Sequence, residues 1–388
     1  MEEMKQQIIQ EVDGLADELY TLSKQLYENP EIAFQEYQSC ETISSYLEGK
    51  GFEVERKAGN VETAFYAKLP GQETRPKLAF LAEYDALPKI GHGCGHNLIA
   101  AASVGAGIAL SRHFEGIDGS MVVVGTPAEE GGGGKVMLID AGVFDDVDAA
   151  VMFHPGSRNI VGSGSLGRIK FTAEFFGKTS HAAGSPFEGL NALDAMISFF
   201  ANIGLLRQQL RDEARVHGVI KHGGEAPNVI PDYTSAEFYV RALNRDYVDV
   251  VYEKVCNCAK GAALATGTEV KITNYPLRYE PRKRSFELES IFQGYMEEFG
   301  LDIEEPEPGR MGSTDLGNLS QKLPAIHPNL SIMDTDIAGH SVGMAEATMT
   351  PRGQKAMLDA AKMLALTAYD YLSSKDIQAK VAEEFQRS

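Results

Sequence analysis

Residues 77–110 constrain the fold of this chain more than any other stretch. Lys77 to Ala82 is an apolar run with the length of a buried strand, and Leu98 to Leu110 is an Ala-rich helical run. Between them lie fifteen residues, Glu83 to Asn97, written EYDALPKIGHGCGHN, which bring two carboxylates, two histidines and a cysteine together with three glycines. A strand followed by a polar loop and a helix is the repeating unit of an open α/β sheet, where ligands bind beyond the carboxyl ends of the strands. Gly91, Gly93 and Gly95 give the loop backbone freedom, so Cys94 and His96 are expected to point the same way from it. A thiolate beside an imidazole is half of a metal site.

The pattern recurs. Met121 to Val124 is an apolar run that enters Thr126-Pro127-Ala128-Glu129-Glu130 and four glycines, and Ala149 to Phe153 ends in His154-Pro155. Three strands thus deliver polar groups to their carboxyl ends, which predicts a mostly parallel sheet with helices on both faces. Two amphipathic helices, Glu3 to Leu26 and Glu36 to Lys50, precede it, with strands at Phe52–Lys57, Val61–Leu69 and Leu78–Tyr84 and a short helix at Lys135–Ala141. After Leu166 the order changes to strand 168–176, helix 189–210, strands 214–222 and 233–242, helix 247–265 and strand 269–275. That β-α-β-β-α-β order is the ferredoxin-like split unit. It reads as an α+β insertion at 166–277 within a domain formed by 1–165 and 278–388, to which helices 287–300 and 353–373 belong.

A length of 388 residues suits two domains, and a hydrophobic content of 43% with 23% charged residues describes a soluble globular protein. The net charge of −19 works against binding nucleic acid or an anionic membrane. The polar, acidic start MEEMKQQ lacks the character of a secretory signal, no apolar run reaches the roughly 20 residues of a bilayer span, and the 4 cysteines do not form a disulfide framework. A cytoplasmic location is expected.

Cys94 with His96 admits three readings: a ligand pair, a Cys-His nucleophile, or a buried thiol beside a loop histidine. Adding Glu129, Glu130 and His154 from neighbouring strand ends favours a metal site of one ion, or of two sharing a bridge. Adjacent glutamates at a helix start are ordinarily a solvated pair favoured by the helix dipole. Here one could be a ligand and the other a base. Gly131–Gly134 with Lys135 is not a phosphate loop, because Glu129 and Val136 stand where that motif needs glycine and Ser or Thr. Cys256 and Cys258 read as packing residues, His113 and His217 as surface groups, and His222 is open.

Asp85-Ala86-Leu87-Pro88, Cys94-Gly95-His96, Pro127-Ala128-Glu129-Glu130-Gly131, His154, Ser180-His181-Ala182-Ala183, Asn228-Val229-Ile230-Pro231 and His340-Ser341 together resemble a zinc metallopeptidase family. That family contains carboxypeptidase G, aminoacylase and succinyl-diaminopimelate desuccinylase. The likeness is to its amidohydrolase branch, most of all the aminobenzoyl-glutamate hydrolase and dipeptidase-like members, and covers nearly the whole chain. It implies Cys94, His96, Glu130, His154 and His340 as ligands of one or two divalent ions (zinc, manganese or cobalt), Glu129 as general base, and Asp85 as the residue that orients a ligand. It implies that His181 reaches into the site of a partner protomer and stabilises the oxyanion, that Asn228 and Arg241 hold a substrate carboxylate, and that the insert is a lid that makes a homodimer. Two departures stand out. Peptidase branches carry a ligand histidine at the place of Glu83, and many amidohydrolase members have Asp at the place of Asn97.

The implied activity is hydrolysis of the amide of an N-acyl or N-aroyl amino acid, aminobenzoyl-glutamate among them, or of a dipeptide, by metal-activated water. The rivals are a hydrolase with Cys94 as nucleophile and His92 or His96 as base, a non-catalytic metal- or ligand-binding protein on the same fold, and a metal hydrolase of another C–N bond.

Overall fold

The structure is a computed structural model that describes residues 2–114, 117–307 and 309–387. The chain forms two compact units: Met1–Ser163 with Lys283–Pro308 and Asn318–Ser388, and Gly164–Arg282 with Gly309–Gly317. The sequence reading sets the insert at 166–277. The structure groups 309–317 with it, as the Leu166 N–H donating to the Gly312 carbonyl at 2.8 Å illustrates.

The first unit begins with α1 (Glu2–Gly14), α2 (Ala16–Glu28) and α3 (Tyr37–Gly49), followed by strands β1 (Glu53–Arg56), β2 (Phe65–Lys68) and β3 (Lys77–Ala82). Helix α4 (His96–Ser111), β4 (Ser120–Gly125), α5 (Gly134–Asp140), β5 (Ala149–Val151) and β6 (His154–Gly156) come next. The expected single helix from Glu3 to Leu26 is two, broken at Gly14-Leu15, where glycine contributes little helix propensity. The expected strand at Val61 starts only at Phe65, because 61–64 form a turn in which the Ala64 N–H donates to the Val61 carbonyl.

The second unit contains β7 (Gly167–Phe176), α6 (Ala192–Leu206), β8 (Arg215–His222), β9 (Tyr233–Ala242), α7 (Arg245–Thr266) and β10 (Glu269–Asn274), in the ferredoxin-like order. Its antiparallel sheet runs β10-β7-β9-β8, with Phe171, Phe175, Phe238 and Val240 packed against α6 and α7. The chain then continues with α8 (Phe286–Glu298), α9 (Leu316–Ser320), β11 (Ala325–Ile326), β12 (Asn329–Ser331), α10 (Val342–Thr348), α11 (Pro351–Ser373) and α12 (Lys375–Arg387).

The sheet of the first unit runs β1-β2-β4-β3-β5-β11. Pairs β4-β3, β3-β5 and β5-β11 are parallel, and the β1-β2 edge is antiparallel. The central strands β3 and β4 are buried along their whole length, which is why they read as continuous apolar runs. Helix α4 packs on β3 and β4 and is itself covered by α2 and α11. That enclosure explains its Ala and Gly content: a Cβ on Gly105 would come within 2.5 Å of Leu19. Two short parallel strands, β6 and β12, pair separately and carry no strand signal in the sequence. Among the described residues no helix is long and apolar enough to cross a membrane.

Phe80 in β3 is fully buried between these layers. Phe80→Ala is expected to cost about 3–5 kcal/mol, seen as a lower urea midpoint at unchanged slope. A midpoint within error of the parent would contradict this packing.

Candidate metal centre

The carboxyl ends of β3, β4 and β5 lead into the three polar segments in question. Beyond β3, Asp85 is buried, and His96 and Asp85 form a close pair: the imidazole Nδ1 lies 3.0 Å from Asp85 Oδ1 and 2.9 Å from the Asp85 carbonyl. The other Asp85 oxygen accepts the Glu130 N–H at 3.0 Å. One carboxylate therefore fixes an imidazole from β3's side and a glutamate from β4's side. Burial works to raise this carboxyl, but the His96 charge and hydrogen bond, the Glu130 N–H and the Lys135 charge outweigh it and hold it low.

His96 is the first residue of α4, not a loop residue, and Gly95 before it sits at φ +77°, where a side chain is unfavourable. A Cβ there would also lie 2.4 Å from Pro155. Gly93 differs from the expectation of a special dihedral: its φ is ordinary, and its requirement is space, since a Cβ would meet Ile90 at 2.6 Å.

Beyond β4, Ala128 takes φ +59°. A non-glycine residue is rare in that conformation, and surrounding bonds must hold it there. The Ala128 N–H donates to Glu36 Oε1 at 3.0 Å, and its carbonyl accepts the N–H groups of Gly132 at 2.9 Å and Gly133 at 2.8 Å. Glu36 is fully buried and takes the Thr63 hydroxyl on its other oxygen at 2.9 Å. Beyond β5, His154 Nδ1 donates to the Pro155 carbonyl at 2.7 Å, leaving Nε2 facing Cys94 Sγ at 3.4 Å. Burial, with the His96 charge adding to it, pushes the His154 imidazole down to about 4, so it is neutral at pH 7 and able to ligate. His340 comes from near the end of the chain, half exposed at φ +58°, with Nε2 3.3 Å from Glu130 Oε2.

These groups converge. Ligand atoms of Cys94, His96 and His154 lie within 4.8 Å of one another, as do those of Cys94, Glu130 and His340, and of His96, Glu129 and Glu130. His96 Nε2 and Glu130 Oε1 are buried without a hydrogen-bond partner among the described residues. Orphaned buried donors and acceptors are costly, and a divalent ion would satisfy both. A set of thiol, imidazole and carboxylate suits zinc, manganese or cobalt, so the residues present fit a metal.

The Cys-His nucleophile fares less well. His92 Nε2 is engaged at 3.1 Å by the Leu26 carbonyl, while His96, held by Asp85 through Nδ1, keeps Nε2 free, so the thiol itself decides against this reading. Burial, then the Glu130 carboxylate, push the Cys94 thiol far up, which withholds the thiolate unless a cation binds it.

The remaining predicted residues lie in the second unit. His181 is exposed, its Nδ1 accepting the Ala183 N–H at 3.2 Å and the Gly184 N–H at 3.1 Å, and the Ala182 N–H donates to the Asn228 carbonyl at 3.0 Å. Arg241 lies near the far end of β9, eight residues beyond Tyr233, or about 26 Å along a strand. His181 and Asn228 are therefore neighbours, and Arg241 is remote from both. His217 is exposed beside Tyr239, and His222 pairs with Glu225 at 2.8 Å.

Sequence reasoning missed Glu36, Glu83 with Lys135, and His327. Glu83 and Lys135 are buried and paired at 2.5 Å, and Glu83 Oε2 lies 3.5 Å from His96 Nε2. The His327 ring is 5.1 Å from that of His154. The available signal was Lys135 itself, an isolated cation among glycines and apolar residues.

A family model, peptidase family M20/M25/M40, matches residues 79–367. Among relatives, the Xaa-Arg dipeptidase of Mus musculus is 36% identical over 402 residues, covering 100% of this chain and 93% of its own. A p-aminobenzoyl-glutamate hydrolase chain of Escherichia coli K12 is 37% identical over 271 residues, covering 64% of this chain and 56% of its own. A putative aminohydrolase from methicillin-resistant Staphylococcus aureus superposes with TM-score 0.80 at 22% identity, over 95% of this chain and 100% of that one. A dinuclear metal-binding peptidase of the same family from Bacillus subtilis superposes with TM-score 0.70 at 21% identity, over 92% and 99%.

Burial, with the Asp85 charge adding to it, pushes the Glu36 carboxyl up to about 7 from an ordinary 4.5. Between those values the folded chain holds a proton that the unfolded chain releases. The group's contribution is therefore full below about pH 4.5 and lost as pH rises to about 7. Glu36→Gln, whose amide oxygen accepts the Ala128 N–H and whose amide N–H donates to the Thr63 hydroxyl oxygen, should gain melting temperature over the parent from about pH 5 to 7 and hold that gain above it. A variant no more stable than the parent at about pH 8 would contradict the raised carboxyl.

Proposed function

The chain belongs to peptidase family M20/M25/M40 and is a metal-dependent hydrolase of amide or peptide bonds, and from that premise we propose its substrates, residue roles and assembly. The substrates are N-acyl or N-aroyl amino acids, or dipeptides, that carry a free carboxylate. The observation that carries this reading is the convergence of Cys94, His96, His154, Glu129, Glu130 and His340 from four separate parts of the chain.

Cys94, His96, Glu130, His154 and His340 would hold one or two ions of zinc, manganese or cobalt. Bound there, a divalent ion supplies a Lewis acid that polarises the scissile carbonyl and lowers the pKa of the attacking water from 15.7 toward about 7. Glu129 takes the proton from that water and returns one to the leaving nitrogen, a role worth about 10²–10⁴ in rate. Asp85 keeps the His96 Nδ1 proton in place, which leaves Nε2 as the nitrogen that would ligate an ion. Neutral His154 is already held with its free nitrogen toward Cys94.

In the second unit, His181 would stabilise the oxyanion, while Asn228 and Arg241 hold the carboxylate. Because Asn228 precedes β9 and Arg241 lies near its far end, two copies that each contribute one of them would serve one substrate. A homodimer through the inserted unit supplies such a pair. Strand β8 supports it, being an edge strand with Val219 57% and Ile220 41% exposed. Four free cysteines suit a cytoplasmic location.

Glu129→Gln should keep the parent's metal content by elemental analysis while kcat falls at least about a hundredfold; retained turnover would remove Glu129 from its role. Activity lost to a chelator and restored by zinc, manganese or cobalt excludes the thiol mechanism. Light scattering should give twice the chain mass, reduced to one by Val219→Glu with Ile220→Glu. A parent that is monomeric throughout contradicts the shared site.

A further inference from the structure

The sheet of the second unit has one face covered by α6 and α7, against which Ile169 and Phe171 of β7 and Phe238 and Val240 of β9 pack. Alternate residues face the other way, and there the register sets three arginines in a row. Arg215 of β8 is opposite Arg241 of β9, and Arg241 is opposite Arg168 of β7. Like charges directly opposed across strands are destabilising. Two lysines of this sheet have a carboxylate partner: Lys170 has Glu237 at 3.6 Å, and Lys271 has Glu174 at 3.5 Å. Among the described residues the three arginines form no ion pair.

Two of them are sequestered as well. Arg168 is 8% exposed, with its guanidinium 3.8 Å from the ring centre of Tyr279 and 5.0 Å from that of Tyr239. Arg241 lies 5.2 Å from the same Tyr239 ring, and its Nη1 donates to Ser313 Oγ at 3.0 Å. The Nε of each is buried without a hydrogen-bond partner among the described residues. Burial and the Arg168 charge both hold the Arg241 guanidinium below its usual value. Aromatic stacking preserves the geometry of the two forks and does nothing to neutralise them. A buried charge with neither partner nor full hydration is costly, and an anion would relieve two such costs at once.

We propose that Arg168 and Arg241, with Arg215 at the rim, form a site for two carboxylates of one substrate, so that the amine-side moiety of the cleaved amide is a dicarboxylic amino acid. The inference rests on the reading of Arg241 given above and adds Arg168 as the residue that takes the side-chain carboxylate. Adjacent strands lie about 4.8 Å apart, a separation that two carboxylates joined by a short carbon chain can bridge. A cationic side chain would instead meet uncompensated guanidiniums. The inference thus separates the two activities named among the relatives, one on Xaa-Arg dipeptides and one on aminobenzoyl-glutamate.

The test is calorimetric titration of the full-length, metal-loaded Glu129→Gln protein with N-benzoyl-glutamate, N-benzoyl-glutamine and N-benzoyl-arginine, alongside turnover of the same amides by the parent enzyme. Glutamate should bind at least about thirtyfold more tightly than glutamine, with arginine weakest. Adding Arg168→Met, which keeps an apolar stem against Tyr279, should bring the glutamate-to-glutamine ratio within about threefold, while Arg168→Lys keeps part of it. The unliganded Arg168→Met protein should melt no lower than its parent, since one of two opposed charges is gone. Equal binding of glutamate and glutamine, a ratio that survives Arg168→Met, or a preference for arginine would overturn the proposal. Preferential binding of the glutamate amide without turnover by the parent would leave this site standing and remove the hydrolytic reading. Equal cleavage of the glutamate and glutamine amides would do the reverse.

Discussion

The buried carboxylate of Asp85 ties the candidate centre together. It pairs with His96 at the start of α4 and accepts the backbone N–H of Glu130 beyond β4, while its own backbone continues β3. A carboxylate cut off from water is stable only with such partners. Its partners are the groups that must be oriented: with Nδ1 engaged by Asp85, only Nε2 of His96 faces the other donors. The same carboxylate limits how far the Glu129-Glu130 segment can move. Burial and these hydrogen bonds set the geometry here.

Two of the non-glycine residues with left-handed backbone lie at the candidate centre. Ala128 and His340 both adopt left-handed backbone conformations, at φ +59° and +58°. Each is held by a specific bond, Ala128 through its N–H to Glu36 and His340 through its N–H to the Gly93 carbonyl at 3.0 Å. Gly134 completes the loop because a Cβ there would lie 1.9 Å from the Pro127 carbonyl oxygen. Gly134 therefore serves close approach of backbone to backbone, in keeping with the rejection of a phosphate loop.

Much of this was legible because periodicity and burial coincide. β3, β4 and α4 are enclosed, so their apolar runs are unbroken, and strand β9 matches the expected 233–242. The polar segments at strand ends stood out against those runs. Legibility failed where a side chain's partner is distant in sequence: Glu36 with Ala128 is 92 residues apart and Lys135 with Glu83 is 52. Two-residue β11 and three-residue β12 have too few positions to show a period. The arginine row was hidden for a related reason, since Arg168, Arg215 and Arg241 become neighbours only through strand register.

The account depends on Cys94, His96 and their companions binding one divalent centre through the Cys94 sulfur. Cobalt substitution followed by absorption spectroscopy tests this most directly, because a thiolate on cobalt gives a charge-transfer band that oxygen and nitrogen donors do not. The account predicts that band in the cobalt-loaded protein and its loss in Cys94→Ser. Cobalt bound stoichiometrically without the band, with the Cys94 thiol still open to alkylation, would contradict it.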